Sequence, residues 1–283
     1  MGRETVRSAT RGTATGLPLL NSREFMAKVR GYQVPRDSIA IWTLGQNGFF
    51  AKSPEGTLIV IDPYLTDHCV TLNPTYGLSF DRLLPVFVEP EDLSADLVLL
   101  THSHLDHTDP ETIRRFSRKE ETDFIAPWQS WRQLPDLGVP RERADLIHPL
   151  ESREFRGLQV TATWSLPTDE SDLNHIGFVI EFANGIKFYN TGDTAFHELL
   201  GHARKLQPQV LAICINGGFH NLSPWDAARV VQFVQPEVVI PTHFDMMACN
   251  QEDPAVFQNC LKAQGTSAKY VRLQYYEPYV FTP

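Results

Sequence analysis

The sequence is poor in cysteine and lacks a basic run, a signal-peptide core and an uninterrupted apolar segment. None of its four cysteines belongs to a CxxC pair, so we expect reduced thiols rather than a disulfide framework: Cys69, Cys214, Cys249 and Cys260. Residues 1–16 contain no apolar core of the signal-peptide type. The longest uncharged stretch, Leu206 to Trp225, is interrupted by prolines and adjacent glycines, which argues against a membrane span. These absences predict a cytoplasmic protein.

The overall charge of the chain is acidic. Its 283 residues include 25 lysines and arginines against 34 aspartates and glutamates, a net charge of −9 with neutral histidines. An acidic chain without a basic run is poorly suited to binding the phosphate backbone of a nucleic acid. We therefore expect no nucleic acid as a partner, and the interrupted apolar segments give no reason to expect a membrane.

Short apolar segments alternate with amphipathic ones along most of the chain. Apolar and β-branched runs predict strands at Ser38–Leu44, Phe49–Lys52, Thr57–Ile61, Asp96–Thr101, Phe124–Pro127, Leu158–Trp164, Ile176–Phe182, Ile186–Tyr189, Val210–Ile215 and Glu237–Pro241. Helices are predicted from Asn21 or Ser22 to Arg30, from Asp109 to Arg118, at Gln129–Leu137, at Ala195–Leu206, from Ser223 to Val234 and at Pro254–Ala263. Because strands alternate with helices but also form hairpins, we expect an α/β protein with two packed sheets and helices outside.

The chain shows no internal repeat and no segment with the composition of a linker. Residues 1–20 are rich in Thr, Arg and Gly without periodicity, and they predict a mobile arm. Residues 21–283 are expected to form a single domain. The segment Thr66–Pro90 has no clear period and predicts a long loop over the functional site.

The strongest chemical signal is the motif HxHxDH, which directly follows the predicted strand Asp96–Thr101. It places three imidazoles and a carboxylate within six residues: His102, His104, Asp106 and His107. Imidazole nitrogen and carboxylate oxygen are the usual protein ligands of Zn²⁺, and they also suit Mn²⁺ and iron. The alternative, a polar loop whose histidines only cap a helix, would need four ligand-type side chains to coincide by chance.

Four further candidate residues lie at the ends of predicted strands: Asp62, His175, Asp193 and His243. Each has an ordinary structural alternative. Asp193 could cap a helix, and Asp62 could belong to the turn before Pro63. The two histidines could be hydrogen-bonded residues of a loop or a strand edge. Together with the motif, however, the groups follow the order D, HxHxDH, H, D, H.

This order resembles the metallo-β-lactamase superfamily over roughly residues 38–275. The resemblance implies a four-layer αββα sandwich with a metal site at one edge, between the two sheets. It implies a first metal ion on His102, His104 and His175, a second on Asp106, His107 and His243, and Asp193 as a ligand of both. It places Asp62 behind the cluster, where its carboxylate would orient a histidine.

Two divalent metal ions are the implied cofactors, either zinc or manganese, with iron also suited because aspartate is a hard ligand. Such ions lower the pKa of a shared water from about 15.7 towards about 7, so a metal-bound hydroxide is the expected nucleophile. Asp106 is in addition a candidate catalytic proton acceptor. No GxSxG motif supports a serine hydrolase instead.

Longer phrases are similar to the branch that contains L-ascorbate-6-phosphate lactonase: WTLGQNGFFAK (42–52), IDPYLTD (61–67), GFVIEFANGIKFYNTGDT (177–194), ICINGGFHNLSPWDA (213–227) and VVIPTHFDMM (238–247). The resemblance implies hydrolysis of a small lactone or ester, phosphorylated sugar lactones such as L-ascorbate 6-phosphate included, and is compatible with a homo-oligomer. His220 and Tyr64 are candidate substrate contacts. A plain turn around His220 and simple packing of Tyr64 are the alternatives.

Two other functions stay open at this point. A phosphodiesterase or nuclease of the same fold is the first, because ribonuclease Z shares the HxHxDH motif. The acidic balance and the lack of a basic arm argue against it. A non-catalytic binding scaffold is the second, and the intact set of candidate ligands argues against that.

Overall fold

The computed structural model describes residues 20–283. The arm predicted for residues 1–20 lies outside the described residues, apart from Leu20. Within the described part, fourteen strands form two sheets of seven. No helix in residues 20–283 combines the length and the apolar character needed to cross a membrane.

The first sheet contains strands from the N-terminal half and the last strand of the chain. Its strands are β1 (Ile39–Gly45), β2 (Gly48–Lys52), β3 (Leu58–Ile61), β4 (Leu97–Leu99), β5 (Asp123–Ala126), β6 (Ala144–Leu146) and β14 (Tyr279–Phe281). They lie in the order β14-β1-β2-β3-β4-β5-β6. The strands β3 to β6 run parallel, whereas β14, β1, β2 and β3 pair antiparallel.

The second sheet comes from the C-terminal half of the chain. Its strands are β7 (Ser152–Phe155), β8 (Leu158–Trp164), β9 (Ile176–Glu181), β10 (Lys187–Asn190), β11 (Val210–Cys214), β12 (Val238–Thr242) and β13 (Lys269–Tyr270). They lie in the order β13-β12-β11-β10-β9-β8-β7. Here β10 to β13 run parallel, and β7 to β10 form antiparallel pairs.

The described helices are short. The α-helices are α1 (Ser22–Gly31), α2 (Asn73–Tyr76), α3 (Pro110–Arg115), α4 (Trp128–Trp131), α5 (Pro224–Val234) and α6 (Pro254–Ala263). Turns of 3₁₀ helix occur at His68–Leu72, Pro90–Asp92, Pro135–Leu137, Arg141–Arg143, Glu198–Leu206 and Ala248–Asn250. The helices α3, α5 and α6 each begin with an Asp or Ser cap followed by proline. The cap side chain accepts a hydrogen bond from a free N–H group of the first turn, and proline has no N–H that needs a partner.

Alternating apolar residues divide the molecule into four layers. In β1, Ile39 and Ile41 point into a core between the two sheets, whereas Ala40 and Trp42 point into a core beneath α1. A third core lies between the second sheet and α5, α6 and the 3₁₀ helix Glu198–Leu206. The predicted αββα sandwich is therefore confirmed.

Several strand ends meet at one edge of this sandwich. The carboxyl ends of parallel strands lie at the same edge of a sheet, which brings together the residues after β3 and β4 and those after β10, β11 and β12. Because β9 is antiparallel to β10, its beginning lies at that edge as well. The β1–β2 turn is there for the same reason, since β2 is antiparallel to β3.

The structure differs from the sequence-based expectation in several places. The helix expected at Gln129–Leu137 is divided into α4 and a 3₁₀ turn at Pro135–Leu137, and α3 ends at Arg115 rather than Arg118. The helix expected from Ala195 begins at Glu198 and is a 3₁₀ helix, because the Ala195 N–H donates to the Leu166 carbonyl and His197 caps the helix. The segment Thr66–Pro90 is not all loop, since it contains a 3₁₀ turn and α2. The strands β6, β7, β13 and β14 were not predicted, because they have only two to four residues and exist through their pairing with a neighbour.

A buried lysine attaches α1 to the first sheet. Lys52 ends β2, and its Nζ donates to the carbonyl oxygens of Val29 at 3.0 Å, Tyr32 at 2.9 Å and Arg30. These carbonyls lie at the C-terminal end of α1, where a helix lacks internal donors for its last carbonyl groups. The ammonium therefore supplies both hydrogen bonds and a favourable charge at the negative end of the helix dipole.

We expect Lys52→Met to lower the free energy of unfolding by about 2 kcal/mol, because it leaves three carbonyl oxygens without their charged donor. Urea unfolding followed by circular dichroism measures this change. Lys28→Met, on the exposed face of the same helix, is the matched control and should alter stability by less than about 0.5 kcal/mol. Equal losses in the two variants would contradict the role given to Lys52.

Candidate metal centre

The HxHxDH loop leaves the carboxyl end of β4 and folds back on itself. The backbone N–H groups of His107 and Thr108 both donate to the His104 carbonyl, and the Thr108 hydroxyl donates to the His102 carbonyl at 2.6 Å. The loop ends at Asp109, which caps α3. This tight turn buries His102 and His107 completely and leaves His104 and Asp106 half-buried, facing the surface of the site.

Three histidines form the first part of the cluster. His102 Nε2 lies 3.0 Å from His104 Nδ1, and the rings of His102 and His175 stack with their centroids 4.0 Å apart. The His175 Nδ1 donates to the Asp193 backbone carbonyl at 3.0 Å. That bond fixes the tautomer, so the lone pair of His175 Nε2 is free. One ligand atom from each of the three side chains lies within 4.8 Å of the others.

A second group contains Asp106, His107 and His243. His243 Nε2 lies 3.1 Å from Asp106 Oδ2 and 3.4 Å from His107 Nε2. Asp193 lies between the two groups: its carboxylate is 3.2 Å from His243 Nε2 and 3.5 Å from His107 Nε2, and it clusters with His102 as well. The structure thus brings together all seven side chains that the resemblance names as ligands.

Asp62 lies behind this cluster, as expected. Its buried carboxylate accepts hydrogen bonds from His107 Nδ1 at 2.7 Å, from the Thr101 N–H at 2.8 Å, from the Thr101 hydroxyl and from Asn47 Nδ2 at 2.7 Å. Because Nδ1 of His107 donates to Asp62, Nε2 is the nitrogen that faces the centre. This is the arrangement by which a carboxylate orients a metal-binding histidine.

Four amide side chains of the site were missed by the sequence analysis: Gln46, Asn47, Asn221 and Asn250. Gln46 Nε2 donates to Asp106 at 2.7 Å, and Asn221 Nδ2 donates to Asp193 at 2.6 Å. Asn250 Nδ2 lies 3.0 Å from His243 Nδ1. Asparagine and glutamine are common in turns for local reasons, so their residue types alone could not identify them.

The backbone is strained or crowded at several of these positions. Gln46, Asp62 and His243 have φ angles of +53°, +40° and +60°, in the left-handed region that non-glycine residues rarely adopt. Gly192, beside Asp193, has φ +61°, and a Cβ there would lie 2.8 Å from Thr101 Cβ. Strain of this kind is typical of functional sites, where the surrounding structure holds it in place.

The electrostatics of the cluster favour a cation. Burial, with the neighbouring imidazoles, lowers the pKa of His102 well below its usual value. Burial also opposes protonation of His107, but the carboxylates of Asp193, Asp106 and Asp62 outweigh it and raise its pKa. For Asp106 and Asp193, burial raises the pKa, yet the facing imidazoles of His107 and His243 lower it overall. The ionised carboxylates therefore draw positive charge into the centre, and a bound cation would replace the proton that they favour on His107.

A cavity of about 320 Å³ opens above the cluster. Its polar part includes His104, Asp106, Asp193 and His243, and its apolar part includes Leu72, Tyr76, Phe80, Phe219 and Met247. The segment Thr66–Pro90 thus covers the site as predicted, although it is partly helical. The volume is at the small end of the roughly 300–1,000 Å³ usual for small-molecule sites.

The two predicted substrate contacts do not line this cavity. Tyr64 is buried: its hydroxyl accepts from the Cys69 N–H at 3.2 Å, and its ring packs under the Arg82 guanidinium. His220 is exposed, and it is the neighbouring Phe219 that reaches the cavity. Tyr64 therefore supports the covering segment, and the turn directs the aromatic ring rather than the imidazole towards the site.

Comparisons with known proteins agree with this geometry. Residues 40–243 match the family model described as Beta-lactamase superfamily domain. The chain belongs to this superfamily. It is 29% identical over 247 residues, 82% of each chain, to a protein of Polynucleobacter asymbioticus named UPF0173 metal-dependent hydrolase.

Two solved structures with low sequence identity show the same fold. Igni18, a metallo hydrolase of the archaeon Ignicoccus hospitalis, has a TM-score of 0.68 at 21% identity, covering 86% of this chain and 98% of its own. An isothiocyanate hydrolase from Delia radicum gut bacteria has a TM-score of 0.66 at 14% identity, covering 86% and 99%. At these identities the likeness shows the fold alone.

The cluster fits one or more divalent cations. Seven buried side-chain atoms in residues 20–283 have no hydrogen-bond partner, and two of them, His175 Nε2 and Asp193 Oδ1, lie in the cluster. A buried polar atom without a partner is costly, so two in one place indicate a missing ligand. The imidazole and carboxylate donors suit Zn²⁺, and Mn²⁺ or iron as well.

We expect Asp62→Asn to weaken the affinity for Zn²⁺ or Mn²⁺ by about 10- to 100-fold, because an amide cannot accept all the hydrogen bonds that orient His107 and Thr101. Titration against a chromophoric chelator measures the affinity. Asp136→Asn, at an exposed position, is the control and should bind as the wild type does. Unchanged affinity in a folded Asp62→Asn variant would refute the orienting role.

Proposed function

We propose that this protein is a metal-dependent hydrolase that acts on a small ester or lactone. The observation that carries the proposal is the convergence of seven histidine and aspartate side chains, two of which have an unpartnered buried atom, His175 Nε2 and Asp193 Oδ1. Four of the seven line a cavity of small-molecule size: His104, Asp106, Asp193 and His243. The similar Polynucleobacter protein is named a metal-dependent hydrolase, which supports the reaction class.

The two halves of the cluster would hold two divalent ions. His102, His104 and His175 would hold one, Asp106, His107 and His243 the other, and Asp193 would contact both. When bound, such ions lower the pKa of a water molecule and polarise the carbonyl group that is attacked.

We propose Asp106 as the side chain that accepts a proton during this reaction. It lines the cavity, and the imidazoles of His107 and His243 lower its pKa, so its carboxylate is ionised. Gln46 holds one of its oxygens at 2.7 Å and thereby fixes its direction. A proton leaving the attacking water would then pass through Asp106 to the departing alkoxide oxygen.

The lining of the cavity favours an unphosphorylated substrate. Among the described residues that line it, none is lysine or arginine, whereas Asp106, Asp169 and Asp193 are present. A phosphate group remote from the bond that is cleaved would find no lysine or arginine there. A phosphorylated sugar lactone such as L-ascorbate 6-phosphate is therefore a weaker candidate than an uncharged lactone or ester.

We expect the protein to hydrolyse uncharged γ- and δ-lactones or aryl esters when supplied with Mn²⁺ or Zn²⁺, and to lose this activity after treatment with a chelator. A panel of lactones with and without phosphate, together with bis(p-nitrophenyl) phosphate, measures the preference. Re-addition of metal should restore the rate. Faster cleavage of the phosphodiester than of every ester would favour the phosphodiesterase alternative instead.

We expect His104→Ala and Asp193→Ala to reduce kcat/KM by at least about 100-fold, because each removes a group that contacts a metal ion. Steady-state kinetics measures the loss, and circular dichroism checks the fold. His148→Ala, at an exposed position away from the cavity lining, should keep full activity. Wild-type turnover in either of the first two variants would disprove their assignment as ligands.

A further inference from the structure

We infer that the apolar wall of the cavity binds an uncharged aliphatic or aromatic substituent of the substrate, next to the bond that is hydrolysed. The apolar wall is the set Leu72, Tyr76, Phe80, Phe219 and Met247. The inference rests on the proposed function and narrows its substrate class.

Three aromatic rings form the outer part of this wall. The ring centroid of Phe80 lies 5.6 Å from that of Tyr76 and 5.8 Å from that of Phe219. Phe80 is buried, but Tyr76 and Phe219 are 54% and 40% exposed. Large apolar side chains that face an open cavity expose apolar surface to water without stabilising the core. Such exposed apolar surfaces mark binding sites.

Hydrogen bonds hold the covering segment in place. The Leu83 N–H donates to the Met246 carbonyl at 2.7 Å, and the Cys249 N–H donates to the Ser79 carbonyl at 3.1 Å. The buried guanidinium of Arg82 donates to the carbonyls of Tyr64 and Thr66. The apolar wall is therefore formed before a substrate arrives, which reduces the entropic cost of binding.

The loop that carries Phe219 also fixes the metal centre. Phe219 has a φ angle of +52°, rare for an aromatic residue, and Gly217 and Leu222 close the loop through a hydrogen bond of 3.0 Å. Asn221 in the same loop donates to Asp193 at 2.6 Å. This short loop therefore fixes the position of the Phe219 ring relative to the Asp193 carboxylate. The positive φ angle of Phe219 directs its ring towards the cavity.

The charges around the apolar wall exclude an anionic substituent. The cavity lining contains Asp169 and, among the described residues, no lysine or arginine. The Asp169 carboxylate is held by the Ser171 N–H and hydroxyl and lies 3.3 Å from His104 Nε2. A substituent with a phosphate or carboxylate would meet this carboxylate and would find no lysine or arginine to bind it. An alkyl or aryl group meets only apolar side chains.

An ester series of increasing acyl length tests the inference. With p-nitrophenyl acetate, butyrate and hexanoate and the metal-loaded protein, kcat/KM should rise by about fourfold for each methylene that the wall buries.

Two variants test which side chains form the wall. Phe219→Asn keeps a residue that tolerates positive φ, and Tyr76→Ala truncates an exposed ring. Each should lower kcat/KM for hexanoate by about tenfold and for acetate by less than about twofold. Trp225→Ala, 50% exposed outside the cavity lining, is the matched control and should change neither rate.

Failure of this inference is distinguishable from failure of the proposed function. Equal losses for acetate and hexanoate, or a preference for a phosphorylated lactone over its alkyl counterpart, would overturn the inference and leave a hydrolase. If no ester or lactone is hydrolysed with either metal, the proposed function fails. Calorimetric titration with 5-hexyl-2-pyrrolidinone, which needs no turnover, then tests the apolar wall alone. Binding by the wild type that is lost in Phe219→Asn would support the inference. No binding by the wild type, or equal binding by the two proteins, would overturn it.

Discussion

The fully buried carboxylate of Asp62 is the contact on which the arrangement of the centre depends. A buried carboxylate is stable only when its oxygens are hydrogen-bonded, so the ends of β3 and β4, the β1–β2 turn and the His107 ring must meet around it. Asn47, one of its donors, also forms a reciprocal amide pair with Asn190 at the end of β10. The same network therefore orients a histidine and joins the edges of the two sheets.

The hydrogen bonds to Asp106 and Asp193 leave the negative charge of both carboxylates free to attract a cation. Gln46 and Asn221 satisfy oxygens of Asp106 and Asp193 with neutral amide donors. In the part of the chain that the structure describes, no lysine or arginine forms an ion pair with Asp62, Asp106 or Asp193. Amide donors lower the cost of burial but do not cancel the negative charge. The centre thus stays attractive to a divalent cation.

The site is built from two parts of the fold, the ends of strands and the segments that connect them. The candidate ligands stand at the ends of strands, where the ladders of two sheets fix their positions, whereas the apolar wall comes from the covering segment and the loop around Phe219. A fold by itself does not determine which bond an enzyme breaks, because the chemistry depends on the residues placed on it. Specificity is expected to reside in the covering segment and the loop.

The sequence by itself determined the α/β layers, most strand positions and the residue types of the centre. Apolar periodicity and the chemistry of HxHxDH are local properties that need no knowledge of distant contacts. Only the tertiary structure decided the short edge strands β6, β7, β13 and β14, the late start of the helix at Glu198 and the amides that hold Asp106 and Asp193. It also placed Phe219 rather than His220 at the cavity. These features depend on partners distant in sequence, such as Gln46 and Asp106, whose meeting is set by sheet order rather than by residue type.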